Sequence, residues 1–500
     1  MNDLISNRRS FIAGATRTLI ASATGAELLA RVGGGTSSAA VSLPARRWAE
    51  LAHRLSGKVL LPEDSIFARI ASPNNLRYAA TIPAGIAQCA NAHDVSAAIL
   101  WAREFGVPLI ARSGGHSYGG YSTTTGLMID VSNLNAMRYD PSTGMATLGG
   151  GARNGHVYTG LRPHHVAITH GRCYNVGIAG LTLGGGVGFN MRARGVTCDQ
   201  LIATEIVTAD GRIHAVSEKQ GHELFWASRG AGGGNFGINT SFSFQAFPVD
   251  RLTVYDLTWT HRPDEVFAAL LHALDAAPDT LGSKVSIVAP TAAQRASGKG
   301  LTIALLGQLR GTPGALADIL QPVYRIAQPA GKIRETDYWT GQDLLSEEGA
   351  PEFFHEPSRF FNEPIADATI ALILNQMRRW PGTTKAATFK LFQTGGAMNS
   401  MTAGATAFVH RKSSWLSSVG LEWHAHDSSA DVQRNLAWQE AFYAAYSPAA
   451  SGGAYQNFID PSLADWKRAY HGSNLPRLEA LKAQVDPERV FRFPEAIPSR

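Results

Sequence analysis

The fold of this chain is decided by Arg-Ser-Gly-Gly-His-Ser-Tyr-Gly-Gly at residues 112–120 and by Gly-Arg-Cys-Tyr-Asn-Val-Gly-Ile-Ala-Gly-Leu-Thr-Leu-Gly-Gly-Gly-Val-Gly at residues 171–188. Glycine loses more conformational freedom on folding than any other residue, so this density indicates positive φ angles or a close approach of the backbone to a ligand. Backbone N–H groups without side chains can line a concave surface and bind a phosphate or pyrophosphate. The two runs therefore predict a site for a large anionic ligand.

Each run holds one reactive side chain, His116 in the first and Cys173 in the second. These are the two side chains best able to become attachment points for an electrophilic cofactor ring. Taken singly, a histidine among glycines is most often a turn residue, and a single cysteine is most often a buried small hydrophobe. Their joint occurrence, each inside a glycine run, favours a binding site over those ordinary roles.

With these motifs the chain resembles the berberine-bridge-enzyme-like oxidases, a branch of the vanillyl-alcohol-oxidase/p-cresol-methylhydroxylase (PCMH) superfamily of FAD proteins. Further matches follow in the same order at residues 205–211, 223–237 and 455–460. The resemblance implies an FAD cofactor held by two covalent bonds, from His116 to the flavin 8α-methyl and from Cys173 to flavin C6. Such attachment raises the flavin reduction potential and allows a wide site, which suits bulky substrates.

The resemblance also assigns flavin contacts to residues in and around the two runs and near the C-terminus. They are Arg112, Ser113, Gly114, Gly115, Ser117, Val176, Gly177, Gly180, Gly184, Gly185, Gly188, Val207 and Asn457. Val176 matches the position at which a small side chain leaves a path for O₂ to flavin C4a. That match favours an oxidase over a dehydrogenase.

The reaction implied by the resemblance has two stages: hydride transfer from a substrate C–H to flavin N5, then reoxidation of the flavin by O₂ to give H₂O₂. A base takes the proton of the adjoining oxygen, and a positioned base is typically worth about 10²- to 10⁴-fold in rate. Tyr455 matches the family's base, and Tyr118 matches a residue beside the substrate at the flavin face. An ordinary tyrosine has a pKa of about 10, so this role requires a lowered pKa. The alternative is that Tyr455 is a packed aromatic.

The expected function is an FAD-dependent oxidase that acts on an alcohol, hemiacetal or related C–H of a carbohydrate or secondary metabolite. Its expected partners are this small-molecule substrate and O₂. Two alternatives remain open. One is a flavin dehydrogenase that passes electrons to an acceptor other than O₂, and the other is a non-catalytic flavin-binding protein.

The expected fold class is α+β, in which a PCMH-type FAD-binding domain is followed by a substrate domain with an antiparallel sheet flanked by helices. The FAD-binding domain is expected at 41–250 and the substrate domain at 251–450, and a segment at 451–500 returns to the FAD domain. Side chains on the substrate-domain sheet would face the flavin, which makes Glu422 and His424 candidates for substrate contact. A surface strand end explains both residues equally well.

Residues 1–40 are interpreted as an export leader. Asn7-Arg8-Arg9-Ser10-Phe11-Ile12 resembles a twin-arginine signal and precedes an apolar, small-residue run. It predicts the twin-arginine (Tat) export machinery as a partner and a periplasmic or secreted location. The alternative is a disordered N-terminal tail.

Composition and spacing argue against several other classes of protein. The formal charge of +5 is spread along the chain without a Lys/Arg block, so no nucleic-acid site is expected. No stretch approaches the roughly 20 apolar residues of a membrane span. The 16 histidines show no spacing typical of a metal site, so no metal is expected.

Local patterns predict individual elements. Apolar spacing predicts a helix over 46–58, and Asp94 is a plausible N-cap for a helix that follows it. A further helix is expected over 263–275. A strand is expected over 415–424. Cys89 and Cys198 are placed in different predicted strands, which favours two buried thiols over a disulfide.

Overall fold

The first glycine run follows a parallel β–α–β arrangement. The computed structural model describes residue 41 and residues 43–499, which lie in one compact unit, Ala39–Arg500. Strands run in the order β1-β2-β4-β3, and β4 pairs in parallel with both β2 and β3. The elements are α1 (Ala45–Arg54), β1 (Lys58–Leu60), α2 (Phe67–Ala71), β2 (Gly85–Gln88), α3 (Ala92–Glu104), β3 (Leu109–Arg112) and β4 (Leu127–Asp130). Because β3 ends at Arg112, the glycine run leaves the carboxyl end of a strand, where α/β sheets bind ligands.

A second, antiparallel sheet supports the other glycine run. Its strand order is β5-β6-β10-β8-β9, and β7 and β11 form a separate two-stranded sheet. The elements are β5 (Met137–Asp140), β6 (Met145–Gly149), α4 (Asn154–Leu161), β7 (Val166–Ala167), α5 (Ile178–Leu183), α6 (Met191–Arg194), β8 (Leu201–Val207), β9 (Ile213–Ser217), α7 (His222–Ala227), β10 (Ile238–Gln245) and β11 (Phe247–Pro248). Gly177 stands at the N-cap of α5, so the second run turns directly into a helix.

An eight-stranded antiparallel sheet follows, with strand order β15-β12-β14-β13-β18-β19-β16 and with β17 paired to β19. The elements are β12 (Arg251–Trp259), α8 (Pro263–Asp275), β13 (Leu281–Val288), α9 (Ala292–Ala296), β14 (Thr302–Leu309), α10 (Pro313–Tyr324), β15 (Ala330–Asp337), α11 (Tyr338–Leu345), β16 (Phe353–His355), β17 (Ser358–Phe361), α12 (Asp367–Arg378), β18 (Thr388–Gln393), β19 (Trp415–Trp423) and α13 (Ser429–Tyr446). Alternate residues of these strands pack with α8, α10, α12 and α13 in one apolar core. The expected antiparallel sheet flanked by helices is confirmed.

The C-terminal segment packs against the N-terminal half through a buried lysine. Two helices form it, α14 (Trp466–His471) and α15 (Leu475–Val485). Lys482 Nζ donates to Asn235 O at 2.6 Å, to Asp486 Oδ2 at 2.7 Å and to Phe491 O at 2.8 Å. The Lys482 and Asp486 side chains are 1% and 0% exposed. This contact fixes the tail against a third glycine-rich stretch, residues 230–237.

Short 3₁₀ turns complete the described elements. They are Leu76–Tyr78, Arg162–His164, Thr197–Gln200, Gly396–Asn399, Ser447–Ala449 and Gly472–Asn474. The division of the chain into 41–250, 251–450 and 451–500 stays a prediction. The expected leader, residues 1–40, lies outside the described residues.

Some local predictions are confirmed and others are wrong. The helix expected over 263–275 has those bounds, whereas the one expected over 46–58 ends at Arg54 because the chain turns at Ser56 and Gly57 into β1. Asp94 is not an N-cap: the Asn91 side chain caps α3 by accepting the Asp94 N–H at 3.0 Å. The Asp94 carboxylate instead accepts N–H bonds from Ser56, Gly57 and Ala90, each at 2.8 Å.

The two cysteines outside the glycine runs are free and buried, as expected. The strand placement is wrong for both. Cys89 lies one residue beyond β2, and Cys198 lies in the 3₁₀ turn Thr197–Gln200. Because they occupy different apolar clusters, the absence of a disulfide between them follows from their positions.

The Lys482 contact predicts a large loss of stability on substitution. Lys482→Met leaves the Asp486 carboxylate buried without its counter-charge, and breaking a buried pair in this way costs about 3–5 kcal/mol of unfolding free energy. We expect a clearly lower thermal midpoint by circular dichroism at a fixed scan rate. Lys219→Met, at an exposed position, is the matched control. Equal midpoints for the two variants would contradict the anchoring role.

Candidate active site

The two glycine runs touch through their backbones. A Cβ atom built on Gly177 would lie 2.5 Å from both Gly114 N and Ser113 Oγ, and a Cβ on Gly114 would overlap Gly177 in the same way. Real side chains do not tolerate such distances, so both positions require glycine. Ser113 Oγ–H donates to Gly150 O at 2.7 Å and fixes the first run to the end of β6. The contact forms the floor of a cavity of about 350 Å³.

His116 and Cys173 both line this cavity, and both lie close to Gly349. A Cβ built on Gly349 would lie 3.2 Å from Cys173 Cβ and 3.2 Å from His116 Cε1. Gly349 has φ +71°, a conformation that favours glycine. The structure therefore brings together the two side chains that the sequence singles out, although they lie in different loops.

The two side chains differ in protonation. Burial, followed by the positive charges of Arg153 and Arg112, lowers the pKa of His116 to about 4. The imidazole is therefore neutral at neutral pH and keeps a nitrogen lone pair for bond formation.

Cys173 is protonated, since desolvation and then the negative charge of Glu347 raise the pKa of its thiol. Its S–H donates to Glu347 Oε1 at 2.7 Å. Glu347 in turn pairs with Arg172 at 2.8 Å. The Glu347 carboxylate is thus the hydrogen-bond acceptor of the thiol proton.

The rest of the cavity wall suits a large ligand with many polar groups. Several buried side-chain atoms that line it have no hydrogen-bond partner. They are Ser122 Oγ, Asn154 Oδ1, Gln456 Oε1 and His471 Nδ1. A Cβ on Gly180 would meet no atom within 4 Å, so the backbone there faces open space. Unpaired buried polar atoms are costly, and a dinucleotide supplies partners for them, so these residues fit FAD.

Most of the predicted site residues line this one cavity. They are Arg112, Ser113, Gly114, Gly115, His116, Ser117, Tyr118, Cys173, Val176, Gly177, Gly180, Gly188, Tyr455 and Asn457. The Arg112 guanidinium donates hydrogen bonds to backbone carbonyls, to Ser122 O at 2.7 Å and to Ser72 O at 3.0 Å. Burial lowers its pKa to about 10, which leaves it charged at neutral pH.

Five predicted residues lie outside the cavity lining. Gly184 packs against the Asn457 amide and Gly185 against the Phe408 ring, while Val207 is buried in an apolar cluster. Glu422 lies 3.6 Å from Lys385, and His424 stacks on His426. Their contacts with cofactor or substrate stay predictions.

Tyr455 is 1% exposed, and its hydroxyl oxygen accepts three N–H bonds. The donors are Gly186 N at 3.1 Å, Val187 N at 3.2 Å and Asn457 Nδ2 at 3.0 Å. Burial raises the pKa of Tyr455 to about 12, and these three bonds act in the opposite direction. The lowered pKa that the base role requires is therefore not reached in this structure, but the donors that stabilise a phenolate are in place.

Tyr118 is held by aromatic contacts. Its ring stacks on Phe458 with centroids 4.9 Å apart and meets Phe354 edge-on at 4.8 Å. Burial raises its pKa, so it is a neutral phenol at neutral pH. Since Phe458 follows Tyr455 by three residues, the stack links the first glycine run to the C-terminal segment.

Sequence reasoning missed six charged residues of the wall: Arg172, Lys284, Glu347, Glu356, Lys390 and Glu495. Lys284 and Lys390 alternate with apolar core residues along their strands, so they lie on the opposite face of the sheet, a signal that side-chain alternation in the sequence could have revealed. Glu347 has no such signal, because it lies in a loop and acts on a residue 174 positions away.

Family profiles define the class of protein to which this cavity belongs. One described as "FAD binding domain" matches residues 83–217, and one described as "Berberine and berberine like" matches residues 454–498. The first range contains both glycine runs, and the second contains Tyr455 and Lys482. The protein is an FAD-linked oxidoreductase.

Relatives narrow that class to one family. An uncharacterized FAD-linked oxidoreductase of Bacillus subtilis (strain 168) is 31% identical over 457 residues, covering 89% of this chain and 97% of that protein. Glucooligosaccharide oxidase of Sarocladium strictum is 31% identical over 448 residues, covering 82% of this chain and 86% of that protein. The chain belongs to the berberine-bridge-enzyme-like family of FAD-linked oxidoreductases.

Solved structures confirm the fold. BBE-like 1 (berberine-bridge-enzyme-like 1) of Physcomitrella patens has a TM-score of 0.81 at 26% identity, over 91% of this chain and 99% of that chain. Xylooligosaccharide oxidase from Myceliophthora thermophila C1, solved with xylobiose, has a TM-score of 0.80 at 25% identity, over 91% and 99%. The expected α+β fold class with a PCMH-type FAD-binding domain is confirmed.

The described residues contain neither a candidate metal centre nor a candidate membrane-spanning helix. Over residue 41 and residues 43–499, no group of three or more His, Cys, Asp and Glu side chains is arranged to hold a metal ion. In the same part of the chain, no helix combines the length and the apolar character needed to cross a membrane.

The backbone contact between the glycine runs predicts that residue 177 cannot carry a side chain. Gly177→Ala forces the runs apart, so we expect purified protein with much less bound flavin, measured as the ratio of flavin to protein absorbance. Gly404→Ala is the matched control, because a Cβ there meets no atom within 4 Å and the position is exposed. Full flavin content in Gly177→Ala would show that the contact is not required.

Proposed function

We propose that this protein is an oxidase that holds FAD through covalent bonds at His116 and Cys173. Its substrate is an alcohol or hemiacetal of a carbohydrate or secondary metabolite. Support for the attachment comes from the convergence of both side chains on Gly349 and from the neutral state of His116. Support for the substrate class comes from relatives named glucooligosaccharide oxidase and xylooligosaccharide oxidase.

The observation that carries the proposal is the environment of Tyr455. Three N–H groups point at its oxygen, so both lone pairs of the neutral phenol are occupied and its own O–H is the donor left for a ligand in the cavity. When bound, FAD supplies the hydride acceptor at N5 and the centre at which O₂ becomes H₂O₂. Tyr455 takes the proton of the substrate oxygen, which makes the neighbouring C–H a better hydride donor. Gly186, Val187 and Asn457 stabilise the phenolate that must form first.

Two further residues shape the cavity beside Tyr455 and influence the choice of electron acceptor. Tyr118, stacked on Phe458, forms a rigid wall beside Tyr455. Val176 lines the cavity with a small side chain, which supports O₂ as the electron acceptor over the dehydrogenase alternative. The presence of a hydrogen-bonded Tyr455 in the cavity favours an enzyme over a non-catalytic flavin-binding protein.

We also propose export through the twin-arginine pathway, on the motif at residues 7–12. That pathway carries folded proteins, and a covalently held flavin has to be installed before export. The location would then be periplasmic or secreted.

Covalent attachment predicts flavin that survives denaturation. After precipitation in acid, wild-type protein should keep its yellow colour, and mass spectrometry should find flavin on peptides containing residue 116 and residue 173. His116→Ala and Cys173→Ala should each keep one bond, whereas the double variant should release all its flavin. Complete release from the wild type would rule out both bonds.

The Tyr455 environment predicts the activity and its pH dependence. A saccharide such as cellobiose should bleach the flavin without air, and admitted air should restore it with release of H₂O₂. Because the pKa of Tyr455 is raised to about 12, the phenolate fraction and the rate of bleaching should rise with pH across the neutral range. Asn457→Ala removes one donor to the phenolate, which should slow bleaching about 10- to 100-fold at pH 8.

Tyr455→Phe is the control for this experiment, since it keeps the ring and its packing. It should abolish the fast bleaching and flatten the pH profile. Bleaching in Tyr455→Phe at the wild-type rate would assign the base to another residue. A bleached flavin that air does not restore would favour the dehydrogenase.

A further inference from the structure

The eight-stranded sheet packs one face against helices in the apolar core, and β13 and β18 line the FAD cavity on the other face. In β13, Val285 and Ile287 pack in the apolar core, and Lys284 lines the cavity. In β18, Phe389 and Leu391 pack in the core, while Lys390 and Phe392 line the cavity. Alternate residues of a strand point to opposite faces, so the two lysines share the face toward the cavity.

The lysines are neighbours across the sheet. Lys284 lies opposite Phe392 in the β13–β18 register, and Lys390 lies opposite Ser286, two residues along the same pair of strands. Diagonal positions of this kind are within reach of long side chains. The sheet thus presents two amines side by side on the wall that faces Cys173 and Glu347.

Most other cationic groups of this wall already have an anionic partner. Lys390 Nζ lies 2.9 Å from Glu356 Oε2, and that carboxylate also accepts the Ser418 hydroxyl. Arg172 pairs with Glu347 at 2.8 Å. Over residue 41 and residues 43–499, no carboxylate lies within 4.0 Å of Lys284 Nζ, and the amine makes no hydrogen bond.

The unpaired state of Lys284 leaves its charge poorly compensated. Burial, and then the positive charges of Arg172 and Lys390, lower its pKa to about 7 against the opposing effect of Glu347 and Glu356. An anion bound beside the amine would supply the missing counter-charge. Buried charges are stable in proteins when they are paired, so the wall favours a ligand that carries a negative charge.

We propose that the cavity takes a carbohydrate bearing a carboxylate, such as a uronic acid, whose carboxylate pairs with Lys284 while its reacting hydroxyl meets Tyr455. The assignment rests on the oxidase function proposed above. Lys390 stays paired with Glu356 and shapes the pocket beside the bound carboxylate. The neutral sugar of the same ring size fills the pocket but leaves Lys284 without a partner.

D-Glucuronate and D-glucose test this assignment, because both are pyranose hemiacetals and they differ only at C6. Wild-type protein should show a higher kcat/KM for glucuronate. In Lys284→Met, which keeps the length of the side chain without its charge, the glucuronate-to-glucose ratio should fall about 10- to 100-fold, mainly through KM. Lys284→Arg should retain the preference. Lys332→Met, at an exposed position of β15, is the control and should match the wild type.

Binding is measured separately from turnover by calorimetry on Tyr455→Phe and on Tyr455→Phe combined with Lys284→Met. Glucuronate binding that is tighter than glucose binding in Tyr455→Phe, and that is lost in the double variant, supports the assignment even if no sugar is oxidised. The absence of oxidation would contradict only the oxidase proposal. Oxidation of glucose together with glucuronate binding that is weak or independent of Lys284 leaves the oxidase standing and overturns the assignment. Failure of both sugars to bind overturns it as well.

Discussion

The backbone contact between Gly114 and Gly177 is the constraint on which the rest of the site depends. It joins the loop after a parallel strand to the loop that starts α5, and neither position accepts a Cβ atom. With the loops fixed together, His116 and Cys173 both lie close to Gly349. The other cavity walls, from the eight-stranded sheet and from the C-terminal segment, close over a floor that this contact has already defined.

Charge in the cavity is arranged so that each reactive group is held in a defined state. His116 is kept neutral by burial and by nearby arginines, and Cys173 is kept protonated by desolvation and Glu347. Tyr455 is a phenol surrounded by donors that suit its anion. The pKa shifts of His116 and Cys173 have opposite directions because burial disfavours both the imidazolium cation and the thiolate anion, and the neighbouring arginines and Glu347 act in the same directions.

The sequence sufficed for the parts that local chemistry determines. The glycine runs with their His116 and Cys173 predicted the cavity floor, and the helix expected over 263–275 has those bounds. Asp94 shows the limit: Asn91 and Asp94 are both good capping residues, and the choice depends on Ser56 and Gly57, which bind the Asp94 carboxylate from a distant turn.

The charged wall could not be derived in the same way. Whether Lys284 is paired depends on which carboxylates other strands and loops bring near it, and the two that approach it, Glu347 and Glu356, lie 63 and 72 positions further along the chain. The pKa of Tyr455 likewise depends on N–H groups of Gly186 and Val187, whose direction is a property of the folded loop.

The convergence of His116 and Cys173 on Gly349 has a consequence for folding. These residues stand 57 positions apart in the chain. On the proposed two-point attachment, the chain between them becomes a covalently closed loop, as it would with a disulfide. Restricting an unfolded loop of that length corresponds to about 4 kcal/mol in the chain-entropy treatment of cross-links. The cofactor then stabilises the native state as a cross-link within the polypeptide, independently of its free concentration.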